Sequence, residues 1–218
     1  MSGVKGSGSR RQYRSAVREE GARRTRQAII AAAGDLFVAQ GYAATSLADI
    51  AVAAGVARPT VFAAFGSKPA LLRQVLDQAL AGDDAPVPVA DRPWFRPVWD
   101  ATTPGAVLDA YADVCLTIAR RAARLFETVR RAADDAPDVA ELWNSLQNNR
   151  HAGARMVIDR VRALGPLAPQ LDRETATDIL WIFNDPALYA SIVLQRGWPE
   201  EAFRRWLAAS MRHGILPC

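Results

Sequence analysis

Long apolar runs are absent from this chain of 218 residues. The longest, such as residues 28–33, fall far short of the roughly 18 residues that a membrane-spanning helix needs. The first 26 residues are rich in basic and small side chains but lack the apolar segment and cleavage site of a secretory leader. The sequence therefore predicts a chain that crosses no membrane and works in the cytoplasm.

Cysteine and histidine are scarce, with two of each. Cys115 and Cys218 stand far apart without a second pair, which excludes a disulfide framework and a four-ligand zinc site. His151 and His213 lack partners at metal-ligand spacing, and no phosphate loop, dinucleotide fingerprint or nucleophile elbow is present. We predict no catalytic residue, no cofactor and no metal. A hydrolase centred on Cys115 is the best enzyme alternative.

Acidic residues are few at the N-terminus. Residues 1–26 hold eight Lys or Arg against two Glu, so the net charge of +4 comes from this segment. A basic arm on a near-neutral body favours a polyanion, because each neutralised phosphate releases counterions. Two alternatives stay open: a solvated tail without a partner, and an arm through which an adaptor binds another protein.

No alternating strand pattern stands out, whereas helical periodicity does, so we predict an all-α fold. Gly41 ends a first helix that starts near Ala22, Ser46 and Asp49 form a capping box for a second, and Pro59 lies in the first turn of a third. The four N-terminal helices are expected over residues 22–40, 46–54, 58–65 and 67–80.

Prolines cluster after these helices, five of them between Gly82 and Pro104, and predict a linker. Past Pro104 the apolar residues from Val107 to Val129 keep one helical phase, in one helix or two abutting helices. Further helical patterns cover residues 137–164 and 172–195, and a last helix starts at Pro199. Pro186 is expected to bend the helix over 172–195. The predicted organisation is a flexible basic arm (1–20), a helix-turn-helix domain (21–82), a linker (83–103) and a helical ligand-binding and dimerisation domain (104–218).

Residues 46–65 have the parts of a helix-turn-helix. Ala51 permits close helix packing, and Gly55 permits the left-handed turn. Apolar residues at Ile50, Val61 and Phe65 are expected to fill the shared core. The polar side of the third helix then faces outward, as entry into a major groove requires. The alternative is a small packing unit without a nucleic-acid role.

Residues 25–80 resemble the DNA-binding domain of the TetR family of bacterial regulators. The resemblance depends on a set of positions taken together: Ala32 to Phe37, Gly41, Tyr42, Thr45, Asp49 to Ala51, Ala54 to Val56, Thr60 to Phe62, Phe65, Ser67, Lys68, Leu71 and Leu72.

The resemblance implies that four residues contact the phosphate backbone of a double-stranded operator: Thr45, Thr60, Phe62 and Lys68. It implies that Arg58, Pro59 and Ala63 face base edges. The sequence departs from the family at three positions. Ala57 replaces the usual serine, Pro59 stands where glycine is common, and Phe62 lacks the hydroxyl of the usual tyrosine. The side chains of Arg10, Arg11, Arg14 and Arg18 are expected to reach the adjacent minor groove. The predicted DNA-binding residues are Thr45, Ser46, Arg58, Pro59, Thr60, Phe62, Ala63 and Lys68.

The C-terminal region is expected to bind an unidentified small-molecule effector and to form a homodimer. The helix over 172–195 is apolar on two faces and, with Phe203, Trp206 and Leu207, predicts a symmetric interface. The implied function is that of a repressor released from a palindromic operator by the effector. The candidate pocket residues are Tyr111, Cys115, Phe126, Trp143, Asn149, Arg150 and Asn184.

Overall fold

The computed structural model describes the backbone of residues 7–217 and the side chains of residues 18–217. Within this range it contains helices and no strand, which confirms the all-α class. The helices are α1 (Ser7–Gln40), α2 (Leu47–Ala53), α3 (Arg58–Phe65), α4 (Lys68–Ala81), α5 (Arg96–Asp100), α6 (Pro104–Ala133), α7 (Pro137–Leu164), α8 (Arg173–Phe183), α9 (Pro186–Tyr189) and α10 (Glu200–Ile215). A 3₁₀ turn covers Val89–Asp91 and a π-helix covers Ala190–Gln195.

The chain divides into two compact units after Val75, within α4. The N-terminal unit packs α1, α2 and α3 with the start of α4. Apolar side chains from all four helices meet in its core, because each helix has residues three or four apart that point to the same side. These buried residues are Ile29, Ile30, Ala33, Phe37, Ile50, Ala51, Val61, Phe65, Leu71, Leu72 and Val75.

The first helix is longer than the sequence indicates. We expected an arm over residues 1–20 and a helix from about Ala22, but α1 begins at Ser7. The residues between have no apolar periodicity, yet most are neutral or good helix formers that extend a helix already nucleated further along. Residues 1–6, and the side chains of Arg10, Arg11 and Arg14, lie outside the described residues.

The C-terminal unit (Leu76–Cys218) is built around α6. Thr103 caps α6, with its side chain accepting a hydrogen bond from the Ala106 amide at 3.2 Å, and one face of the helix is buried for nearly its whole length. Helices α5, α7, α9 and α10 pack against α6, and α8 packs against α7 and α10. The largest fully buried side chains here are Leu108, Leu142, Ile158, Leu180, Phe203 and Leu207.

The segment expected to be a linker, residues 83–103, is part of this unit. It contains the 3₁₀ turn and α5, and Phe95 and Val98 lie in the core. Arg92 is buried and donates hydrogen bonds to the Val87 carbonyl and to Asp83, among others, so the guanidinium holds the turn closed. Prolines mark turns here, but the periodic pattern is too short to show that Arg92, Phe95 and Val98 are buried.

The predicted bend at Pro186 is a complete break. Helix α8 ends at Phe183, and α9 starts at Pro186 with Asp185 as its N-cap. Because the break resets the helical phase, the apolar faces expected across 172–195 do not continue through it, and Ala187 is exposed while Tyr189 is buried.

Among the described residues, no single helix is both long and apolar enough to cross a membrane. The pair α2 and α3 passes that test by length and composition only when the two helices are joined across a bend of 111°.

Candidate functional site

Helices α2 and α3 cross at 111°, within the range of helix-turn-helix pairs. The predicted capping box is present: the Ser46 amide donates to the Asp49 carboxylate at 3.0 Å, and the Asp49 amide donates to the Ser46 hydroxyl at 3.2 Å. Gly55 has φ of 66°, a conformation that a side chain disfavours, and the Val56 amide then donates to the Ala51 carbonyl at 2.9 Å. The turn therefore fixes the direction of α3.

Helix α3 has one buried and one exposed side. Val61 and Phe65 are in the core, and Phe62 is exposed over 62% of its surface. The structure thus presents the residues predicted to face the groove at the protein surface: Arg58, Pro59, Thr60, Phe62 and Ala63.

The start of α3 lacks a side-chain cap. Ala57 occupies the N-cap position in extended conformation and forms no side-chain hydrogen bond. A serine cap contributes about 0.5–2 kcal/mol to a helix, so α3 depends on its neighbours for stability.

One of those neighbours is Arg26 of α1, which sequence reasoning missed. Its guanidinium donates to the Ala64 carbonyl at 2.8 Å and to the Gln74 side chain at 3.0 Å, and it lies 4.3 Å from the centre of the Phe65 ring. Arg26 therefore joins the end of α3 to α1 and α4. The sequence showed only another arginine in a basic segment.

Two residues predicted to contact phosphate point inward instead. Thr45 is only 1% exposed, and its hydroxyl donates to the Gly41 carbonyl at 2.8 Å. The Lys68 ammonium donates to the carbonyls of Tyr42 and Thr45 at 2.9 and 3.0 Å and lies 4.1 Å from the centre of the Tyr42 ring. Burial lowers the pKa of Lys68 from its usual value. Both side chains hold the loop between α1 and α2, whereas Ser46 is exposed.

In the C-terminal unit, four of the seven candidate pocket residues are brought together. Asn184 lies at the break after α8, where its amide donates to the Tyr111 hydroxyl at 3.0 Å and accepts from the Arg150 guanidinium at 3.1 Å. Arg150, 10% exposed, also donates to the Trp181 carbonyl at 2.8 Å and pairs with Asp185 at 3.3 Å. Cys115 is close enough to Arg150 for the two groups to interact electrostatically.

Three polar groups of the cluster formed by Tyr111, Cys115, Arg150 and Asn184 are desolvated, namely those of Tyr111, Cys115 and Arg150. Burial raises the pKa of the Cys115 thiol to about 12, against the opposing effect of Arg150, so the thiol is protonated at neutral pH. Burial likewise raises the pKa of Tyr111. A protonated thiol is a poor nucleophile, which disfavours the alternative of a hydrolase centred on Cys115.

The other candidates lie apart from the cluster. Phe126 and Trp143 contact each other edge to face with ring centres 6.3 Å apart, and Asn149 is exposed. An open groove of about 680 Å³ lies along the outer side of α10 and contains none of the seven predicted pocket residues. Its lining is Trp206, Ala209, Ser210, Arg212, His213, Leu216 and Pro217.

Comparison with known proteins adds to this geometry. Residues 29–75, which include α2, α3 and their turn, match the family model of bacterial regulatory proteins, tetR family. Residues 29–75 therefore form a domain of the tetR-family type. No curated protein sequence matches the chain.

Solved structures of transcriptional regulators share the fold. A proposed transcriptional regulator from Saccharomonospora viridis, in complex with choline, has 19% identity and a TM-score of 0.67 over 87% of this chain and 96% of its own. NalD, the secondary repressor of the MexAB-OprM multidrug efflux pump in Pseudomonas aeruginosa, has 21% identity and a TM-score of 0.67 over 90% and 98%. A TetR transcriptional regulator from Chloroflexus aurantiacus has 21% identity and a TM-score of 0.66 over 90% and 98%.

Within this TetR-family domain, the eight predicted DNA-binding residues form two groups. Six are exposed on α3 and at the start of α2, while Thr45 and Lys68 have their polar groups engaged with the loop between α1 and α2. That the exposed six touch DNA stays a prediction.

Proposed function

We propose that this protein is a DNA-binding transcriptional regulator, and specifically a repressor that a small-molecule effector releases from a palindromic operator. The observation that carries the proposal is the exposed face of α3, held at 111° to α2 by the hydrogen-bonded turn at Gly55. A short helix so exposed and so firmly supported is suited to enter a major groove. Its partner, an operator in chromosomal DNA, would be met in the cytoplasm.

The proposed effector site is the cluster of Tyr111, Cys115, Arg150 and Asn184. Aromatic, thiol, amide and guanidinium groups converge there from α6, α7 and the break after α8, which is the mixture of apolar surface and few polar groups that ligand sites have. Because Asn184 now bonds to both Tyr111 and Arg150, a ligand would have to replace these bonds, and that exchange would act on the break between α8 and α9. The structures of NalD and of the choline complex are precedents for a repressor and a small-molecule complex on this fold.

We propose a homodimer from the apolar surface that α8 and the π-helix leave exposed. Ile182 is 57% exposed, and Leu194 and Trp198 are also large, apolar and exposed. Such side chains in one region of the C-terminal unit suit burial against a second copy.

Selection from a randomised duplex library by the full-length chain tests the function. We expect enrichment of an inverted repeat whose half-sites are about 10 base pairs apart, or a multiple of that, because a twofold dimer presents two copies of α3. Fluorescence anisotropy then measures affinity for the selected duplex against random competitor. A chain that prefers no duplex sequence at low salt would rule the proposal out.

Lys68→Met separates a phosphate contact from a role in holding the fold. Loss of the two hydrogen bonds to loop carbonyls is expected to lower the free energy of unfolding by about 1–2 kcal/mol and to weaken DNA binding. We expect the slope of log affinity against log salt to stay unchanged, because the ammonium donates to the carbonyls of Tyr42 and Thr45 rather than projecting from the surface. Urea unfolding and salt titration of the anisotropy measure the two effects.

Arg73→Met is the matched control, because Arg73 is an exposed cation on the same helix. It should leave the free energy of unfolding nearly unchanged. A fall of about 0.9 in the salt slope for Lys68→Met would instead show that Lys68 neutralises a phosphate in the complex.

A further inference from the structure

We propose that α3 selects its operator through the 5-methyl groups of thymine, which it reads with an apolar face formed by Pro59, Phe62 and Ala63. This inference rests on the proposed function, and it names the base chemistry that the DNA-binding surface recognises. The three residues are neighbours on the exposed side of the helix.

The helix geometry puts these residues at the front of the surface. Successive residues are about 100° apart around a helix axis. Val61 and Phe65 point into the core, so Pro59 and Ala63 lie nearly opposite them. Phe62 lies beside this line, with 62% of its surface exposed. The two residues that face directly away from the protein, Pro59 and Ala63, are therefore apolar, and Phe62 and Thr60 flank them on opposite sides.

None of the three side chains can form a hydrogen bond to a base edge. Proline has a ring without a backbone N–H, alanine a single methyl group, and phenylalanine a ring without a hydroxyl. In the major groove, guanine, cytosine and adenine present donors or acceptors, whereas thymine alone presents a methyl group. Against an apolar face, the hydrogen-bonding groups of guanine, cytosine and adenine lose water without gaining a partner, which is unfavourable. The thymine methyl group is buried favourably, so the face prefers thymine to the other bases.

Polar groups are present at the margins of this face. Arg58 precedes Pro59 at the start of α3, and Thr60 lies on the side away from Phe62. Arginine pairs with guanine through two acceptors, and threonine bonds to bases or phosphates. The expected half-site is thus a short thymine-bearing centre next to a guanine that Arg58 contacts.

Replacing thymine with deoxyuridine in the selected duplex tests the inference, because it removes only the 5-methyl group. We expect each contacted thymine to bind about fourfold more weakly after replacement, the effect of exposing one buried methyl-sized group. Sensitive positions should be adjacent in each half-site. Anisotropy titration of the full-length protein against each singly substituted duplex gives the map.

Variants then assign methyl groups to side chains. With Phe62→Ala or Pro59→Ala, the deoxyuridine penalty at one position should fall towards none, while the other positions keep theirs. Val52→Ala is the control, since Val52 is apolar and 82% exposed but lies on α2. It should leave the whole pattern unchanged. Circular dichroism checks that each variant is folded. The deoxyuridine penalties measured with the unaltered protein test the inference even if a variant fails to fold.

The possible failures differ. A selected duplex that binds tightly but tolerates deoxyuridine at every position overturns thymine readout and leaves DNA binding intact. The same holds if the penalties persist undiminished in folded Phe62→Ala and Pro59→Ala. A protein that prefers no duplex overturns the inference and the proposed function together.

Discussion

Arg150→Met is expected to lower the free energy of unfolding of the C-terminal unit by about 2–4 kcal/mol. Methionine has nearly the length of the arginine stem, so packing changes little and the loss comes from hydrogen bonds. The Trp181 carbonyl and the Asn184 side chain lose their donor, and Asp185 loses its positive partner. Buried acceptors left without a donor carry the full cost of their lost solvation. Urea unfolding followed by tryptophan fluorescence measures the change.

Two further variants isolate the cause. Arg150→Lys keeps the charge but cannot form the planar set of bonds, so it should recover only part of the lost stability. Arg131→Met removes an arginine that is paired with Glu127 at 2.6 Å on an exposed surface, where such pairs contribute about 0–1 kcal/mol. If Arg150→Met costs no more than Arg131→Met, then the cluster does not hold the break between α8 and α9.

Local patterns in the sequence predict the N-terminal helices well. The capping box at Ser46 and Asp49, the glycine at position 55 and the bounds of α3 all depend on residues within one turn of each other. Such features need no knowledge of the rest of the fold. The predicted α7, Pro137 to Leu164, matches for the same reason, because a proline starts it and a glycine follows it.

Long-range contacts explain what the sequence alone does not show. The Lys68 ammonium donates to carbonyls 23 and 26 residues earlier in the chain. A family resemblance implies a phosphate contact for this residue, but it does not show these hydrogen bonds within the protein. Arg26 contacts a carbonyl 38 residues away.

The candidate effector cluster likewise combines features that the sequence predicts with contacts that only the fold shows. Tyr111 lies on one apolar stripe of the sequence and Arg150 interrupts another, and the fold brings both to Asn184. Phe126 and Trp143 were chosen by type, but they pack on each other instead. The role of Asp185 depends on the break in the helix, which the single proline at 186 indicated only as a bend.

Arg58→Ala is expected to weaken binding to the selected duplex by about 5- to 150-fold, the range for loss of a two-bond contact to a guanine. Arg58 is exposed at the first position of α3, beside the apolar face, and its removal leaves the core residues Val61 and Phe65 in place. The fold should therefore be retained, and circular dichroism checks this. The affinity loss should come with relaxed specificity at one base pair in each half-site, measured by anisotropy with duplexes substituted at every position.

The pattern of loss decides what Arg58 does. A base contact is worth most on the preferred sequence, so Arg58→Ala should bind duplexes altered at that base pair nearly as well as the parent duplex. A phosphate contact would weaken all sequences equally and lower the salt slope by about one. Arg58→Lys distinguishes further, because lysine keeps the charge but loses the paired geometry that matches guanine. Uniform loss across sequences, with full recovery by lysine, would assign Arg58 to the backbone and leave specificity to the apolar face alone.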